Sequence, residues 1–270
     1  CRKARVLPDR GPARLAAWGA VAVAVALLHN RLWATFNLAF FTAISKNLGR
    51  NPFGNGFDGD YLLTNLTGPT LARVLHQTEP HEYARLHLVV LLLGLGAVIV
   101  VAHRRFGYEV ARLLCILVAA SPALTVCMEW LGQPDALTFP LALGIVVARR
   151  RPAAFALAAL LGLTHAEQGA IAALVGTIVR LVIVEAGPDD PIRRRVSIEL
   201  VTLVGGVAAG RVVTELYLRV NDIVITTPRT SFLDLGVSGF VEHHLQSNGV
   251  ILYALWGPLW IGIAVTAIRF

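Results

Sequence analysis

Apolar runs separated by short polar turns dominate this chain. The first runs from Leu15 to Leu28 and extends toward Trp33, the second from Leu86 to Ala102, and the third from Val110 to Met128 with Pro122 placed to kink it. Ala136 to Ala148 gives a short fourth run. Phe155 to Leu163 is a short fifth, divided by Thr164-His165-Ala166-Glu167-Gln168 from a sixth at Gly169 to Val184. Val196 to about Leu218 is the seventh, and Val250 to Ile268 the eighth. Several approach the ~20 apolar residues that span a bilayer core, and the ~10-residue alternating segments of a membrane β-barrel are absent. The expected fold is all-α: a polytopic membrane protein of about eight transmembrane or half-spanning helices in one domain over 1–270.

Two longer polar segments, 34–85 and 219–248, lie between these runs. In the first, Phe36, Leu38, Phe40, Phe41 and Ile44 suggest a helix lying on the membrane surface. The turn cluster Asn51-Pro52-Phe53-Gly54-Asn55-Gly56 follows. A second interfacial helix starts at Leu62, with a break expected near Gly68-Pro69.

Charge gives the runs a direction. The chain is 56% hydrophobic and 15% charged, against about 25% charged in average soluble domains. Its net charge of +7 comes from 24 Lys and Arg against 17 Asp and Glu. The arginines cluster in short turns, His103-Arg104-Arg105, Arg149-Arg150-Arg151 and Arg193-Arg194-Arg195, and in the tail 1–14. The positive-inside rule places these on the cytoplasmic side and accounts for the charge without nucleic acid. One long helix over 153–185 would carry Arg193-Arg194-Arg195 to the other side, whereas a split at His165 keeps all clusters together. The resulting two helices are short, and neither is expected to span alone. Arginine far outnumbers lysine, with only Lys3 and Lys46 present, which suggests a GC-rich bacterial genome and hence a bacterial inner membrane. The three cysteines have neither a zinc spacing nor a disulfide framework. Beginning at Cys1 and stopping at Phe270 after an apolar run, the sequence reads as a piece of a longer chain.

The opposite set of loops holds the candidate chemistry. Asp58 and Asp60, two apart with Gly59 between, can face one divalent cation or one substrate hydroxyl. They fit equally a solvated loop in which Asp58 caps a helix. Glu129 and Asp135 flank the turn Trp130-Leu131-Gly132-Gln133-Pro134 and either point into a common cavity or form a polar connector, with Asp135 as helix N-cap. His165 and Glu167 sit where two short helices meet, in a binding role or as a plain turn. Arg229 is placed to bind a phosphate or to be solvated. Glu242-His243-His244 does not suit a shared metal, because adjacent residues of a helix point apart. Glu199 and Glu215 lie in the seventh run, where Arg211 offers an i,i+4 pair to Glu215.

A basic tail, one span, a long loop with an acidic motif, then short spans with a Gly-Gln-Pro-Asp turn, an arginine-rich turn and a Gly-Leu-Thr-His segment together resemble the GT-C superfamily of integral-membrane glycosyltransferases, over roughly residues 15–220. The resemblance implies a sugar transferred from a polyprenyl-phosphate donor to a glycan, lipid or protein acceptor at the outer face. It implies Asp60 as catalytic base, Asp58 assisting or holding Mg or Mn with it, and Glu129, Asp135, His165, Glu167 and Arg229 binding substrate. The alternatives are a non-catalytic membrane subunit with the same fold and a transporter. A transporter would place its polar groups near the bilayer midplane, and here they gather at one face.

Overall fold

A computed structural model of the chain describes residues 11–29, 32, 37–54, 57, 59–183 and 192–226. The eighth run, Asp58, Arg229 and Glu242-His243-His244 lie outside the described residues. Ten α-helices and one 3-10 helix (Asp60–Thr64) are present among them, with no strand. They are α1 (Gly11–His29), α2 (Leu38–Lys46), α3 (Thr67–Val74), α4 (Pro80–Phe106), α5 (Tyr108–Ala119), α6 (Pro122–Glu129), α7 (Asp135–Val147), α8 (Arg151–Thr164), α9 (Ala166–Ile183) and α10 (Ile192–Val220).

Four of these, α1, α4, α9 and α10, are long and apolar enough to cross a membrane, and α5 with α6, bent by 51°, passes the same test only as a pair, as a broken span or a re-entrant loop. The break has a local cause. Ser121 accepts a hydrogen bond from the Ala123 N–H at 3.1 Å, and Pro122 restarts the helix at its first position. The helices α7 and α8, of 13 and 14 residues, are shorter than a bilayer core, so the described residues supply four or five full spans. The apolar faces turned outward include Leu93, Ile171, Ile178, Val182 and Val201. In water such surface would drive aggregation, and in hydrocarbon it is solvated. The chain is a helical polytopic membrane protein.

Several expectations are corrected. Helix α9 is long enough to span alone, because the run continues unbroken to Ile183. Helix α4 starts six residues before the apolar run, at Pro80, where Glu79 and Glu82 form a capping box that extends it into the polar loop. No break occurs at Gly68-Pro69. Both fall in the first turn of α3, where a proline needs no N–H partner. Helix α2 does not lie free on a surface: Phe41 and Ile44 are buried, and the Phe41 ring stacks on Tyr83 of α4 at 6.3 Å. Leu38 covers Gly132, whose φ of +94° and lack of Cβ both permit that approach.

The tightest seam joins α8 to α10. A Cβ at Gly162 would overlap the carbonyl of Val207, and one at Gly210 the carbonyl of Ala159. Small residues here let two backbones meet, which replaces the hydrophobic drive absent in lipid. Chain contacts divide the protein into two units, residues 1–52 with 62–224 and residues 53–61 with 225–270. In the second, Phe53 and Phe57 pack ring to ring at 4.6 Å, and Asp60 binds Thr226.

Candidate functional site

Polar side chains gather at two turns on one end of the larger unit, where α6 passes to α7 and α8 passes to α9. His165 is the one extended residue between α8 and α9, with φ −165° and ψ 92°. Its backbone still serves both helices, donating to Leu161 O at 2.8 Å and accepting from Gly169 N at 2.8 Å. Its side chain is buried, with Nδ1 3.2 Å from Glu167 Oε2. Among the described residues its Nε2 has no hydrogen-bond partner. Asn65, also buried, has neither its amide oxygen nor its nitrogen paired among them. The two residues flank one joint, because Leu66 N donates to Leu163 O at 3.1 Å and the hydroxyls of Thr67 and Thr164 lie 2.9 Å apart. Buried polar atoms without partners are costly and rare, so this joint is the most conspicuous departure from a plain helical turn.

Gln168, three residues on, ties the two turns together. Its Nε2 donates to Asp135 Oδ1 at 2.9 Å, and its Oε1 lies 3.0 Å from the Thr138 hydroxyl. Asp135 is therefore not the N-cap of α7. Pro134 holds that position, and the Asp135 carboxylate turns to α9. Asp135, Thr138 and Gln168 border a cavity of about 270 Å³ with Cys127, Phe139 and Leu161. Glu129 ends α6, half-buried, without a hydrogen bond or ion pair among the described residues. Thus the larger unit brings Asp135, His165 and Glu167 to neighbouring turns and leaves Glu129 outside their bonds.

In the smaller unit Asp60 is buried at the start of its 3-10 helix. Its Oδ2 accepts from the backbone N–H of Thr226 and from the Thr226 hydroxyl, the latter at 2.6 Å. Among the described residues no group of three or more His, Cys, Asp or Glu gathers to hold a metal ion.

The other end of α7, α8 and α9 carries a different network. Arg180 Nε donates to Glu199 Oε2 at 2.7 Å, and its Nη1 donates to Ile145 O and Ala148 O at 2.8 and 2.6 Å. Arg151 holds the second oxygen of Glu199 at 3.0 Å. Arg105 Nη1 reaches Val147 O and Ala148 O, each at 3.1 Å. Two helices, α4 through Arg105 and α9 through Arg180, thereby satisfy orphan carbonyls at the α7 C-terminus, where cations are also favoured by the helix dipole. Glu215 does pair with Arg211, at 2.5 Å. Glu199 instead depends on Arg180, whose position inside the apolar run 169–184 was the overlooked signal. Gln168 and Thr138 gave no signal of their own, because their roles come from contacts across helices.

No protein-family model, curated protein or solved structure matches the chain.

Proposed function

We propose that this protein is a membrane-embedded glycosyltransferase of bacterial inner-membrane type. It would move a sugar from a polyprenyl-phosphate donor to an acceptor at the outer face, with the arginine-rich turns cytoplasmic. The observation that carries the reading is the separation of chemistry along α7, α8 and α9. Arginines close one end, while the carboxylate of Asp135, the amide of Gln168 and the unpartnered imidazole nitrogen of His165 gather at the other, beside a cavity. Amide, hydroxyl and carboxylate groups in partly apolar surroundings are what sugar hydroxyls need for orientation.

In this reading Asp60 takes the proton of the acceptor hydroxyl. The acceptor oxygen bonds to the anomeric carbon as the bond from that carbon to the phosphate oxygen breaks, and the polyprenyl phosphate leaves. His165 steadies the phosphate, and Asp135 and Glu167 bind sugar hydroxyls. For a cation such as Mg or Mn the described residues offer the Asp60 carboxylate, whose Oδ2 already accepts two hydrogen bonds, so the transfer is written without a metal step.

The test is transfer in nanodiscs from a panel of radiolabelled polyprenyl-phosphate hexoses and pentoses. Asp60→Asn should reduce transfer by about 10²–10⁴-fold, the usual contribution of a general base. Unchanged transfer, or no transfer by the wild type with any donor, would favour a non-catalytic membrane subunit. The mutual bonding of Asp135 and Gln168, which leaves each satisfied inside the protein, fits that second reading.

A further inference from the structure

A groove of about 720 Å³ runs between α4, α7 and α8, and no part of the proposed transfer uses it. Small residues are part of its lining: Ala97 and Ala153 border it, and Gly94 and Gly144 do so where a Cβ would press on Pro140 and Leu157. The groove follows α7 from Leu137 to Val147, a length of about 15 Å at the helical rise. That matches one leaflet of a hydrocarbon core about 30 Å thick.

Apart from Thr67, its lining is apolar until the arginine-rich end, where Arg149 and Arg150 border it, and among the described residues no carboxylate does. Both arginines are exposed, and neither forms an ion pair among the described residues. The contrast with the next residue is direct, because Arg151 is committed to Glu199. An apolar slot one leaflet long that ends in two cations without an ion pair among the described residues is complementary to one kind of molecule: an acyl chain with an anionic head.

We propose that this groove is a binding site for an anionic phospholipid of the leaflet on the arginine-rich side. Its acyl chain lies between α4, α7 and α8, and its phosphate is held by Arg149 and Arg150. The phosphate is held at the end of α7 away from the Asp135–Gln168 cluster, while the apolar part of the groove runs along α7 to Leu137. It does not depend on the transferase reading.

The test is native mass spectrometry of the full chain released from nanodiscs containing equal phosphatidylglycerol and phosphatidylcholine with identical acyl chains. The wild type should retain phosphatidylglycerol selectively. A basic residue near an anionic headgroup contributes about fivefold, so Arg149→Gln with Arg150→Gln should weaken retention roughly 30-fold. Lysine at both positions should restore it. Ala97→Phe, which fills the groove and leaves both arginines in place, should abolish retention. Equal retention of the two lipids, unchanged retention in the double glutamine or Ala97→Phe variant, or a lipid-free dimer occluding the groove would each overturn the proposal. So would selective retention of an added polyprenyl phosphate over phosphatidylglycerol.

Discussion

Arg180 of α9 and Glu199 of α10 form an ion pair of 2.7 Å with side chains only 1% and 3% exposed. The pair ties α9 to α10 and, through the Arg180 contacts to Ile145 O and Ala148 O, anchors the end of α7. Removing one partner leaves a buried charge without compensation. Glu199→Ala should therefore destabilise the protein by about 3–5 kcal/mol, while replacing both residues with similarly sized apolar ones should recover much of that loss. Arg151→Ala, whose side chain is 48% exposed, should cost about 1 kcal/mol or less. Thermal unfolding in one detergent checks the order, and a Glu199→Ala variant as stable as Arg151→Ala would contradict it.

Two adjacent glycines of α10 should behave oppositely. A Cβ on Gly206 would sit 2.7 Å from Ala158 Cβ and from Phe155 O, whereas on Gly205 the nearest atom is Phe155 Cε2 at 4.0 Å. Gly206→Ala should cost about 1–3 kcal/mol by forcing α8 and α10 apart. Gly205→Ala should be neutral or stabilising by up to about 1 kcal/mol from helix propensity. Melting temperatures of the two variants, measured side by side, decide the point.

Gln168 is the crosspiece between α7 and α9. Gln168→Leu keeps the volume and removes both its bond to Asp135 and its bond to Thr138, at a cost of about 1–3 kcal/mol for the groups left unpaired. Hydrogen exchange should then speed up at the start of α7 and leave the arginine-bound end unchanged. Uniform exchange along α7 would show that the two ends are not held independently.

The Thr226 hydroxyl orients Asp60. Thr226→Val deletes that bond and keeps the backbone N–H bond, so it should cost about 1.5–3 kcal/mol, the range for a bond to a charged group. If Asp60 is the base, transfer should fall in Thr226→Val by less than in Asp60→Asn. A greater fall in Thr226→Val would mean that the hydroxyl, not the carboxylate, is the essential group.

The sequence by itself determined what depends on single residues and their near neighbours. Apolar length marked the spans, Pro122 marked the broken one, and the polar stretch around His165 marked the division of α8 from α9. The periodic Arg211–Glu215 pair was legible because both partners lie on one helix face. Only the tertiary structure decided which distant groups meet: Arg180 with Glu199, Gln168 with Asp135, Asn65 beside the α8–α9 joint, and Phe41 against Tyr83 rather than lipid. Hydrophobicity along the chain reports transfer out of water, which is local and nearly additive. Hydrogen bonds and close glycine contacts between helices depend on the rotation and register of each helix, and those emerge only when the helices pack.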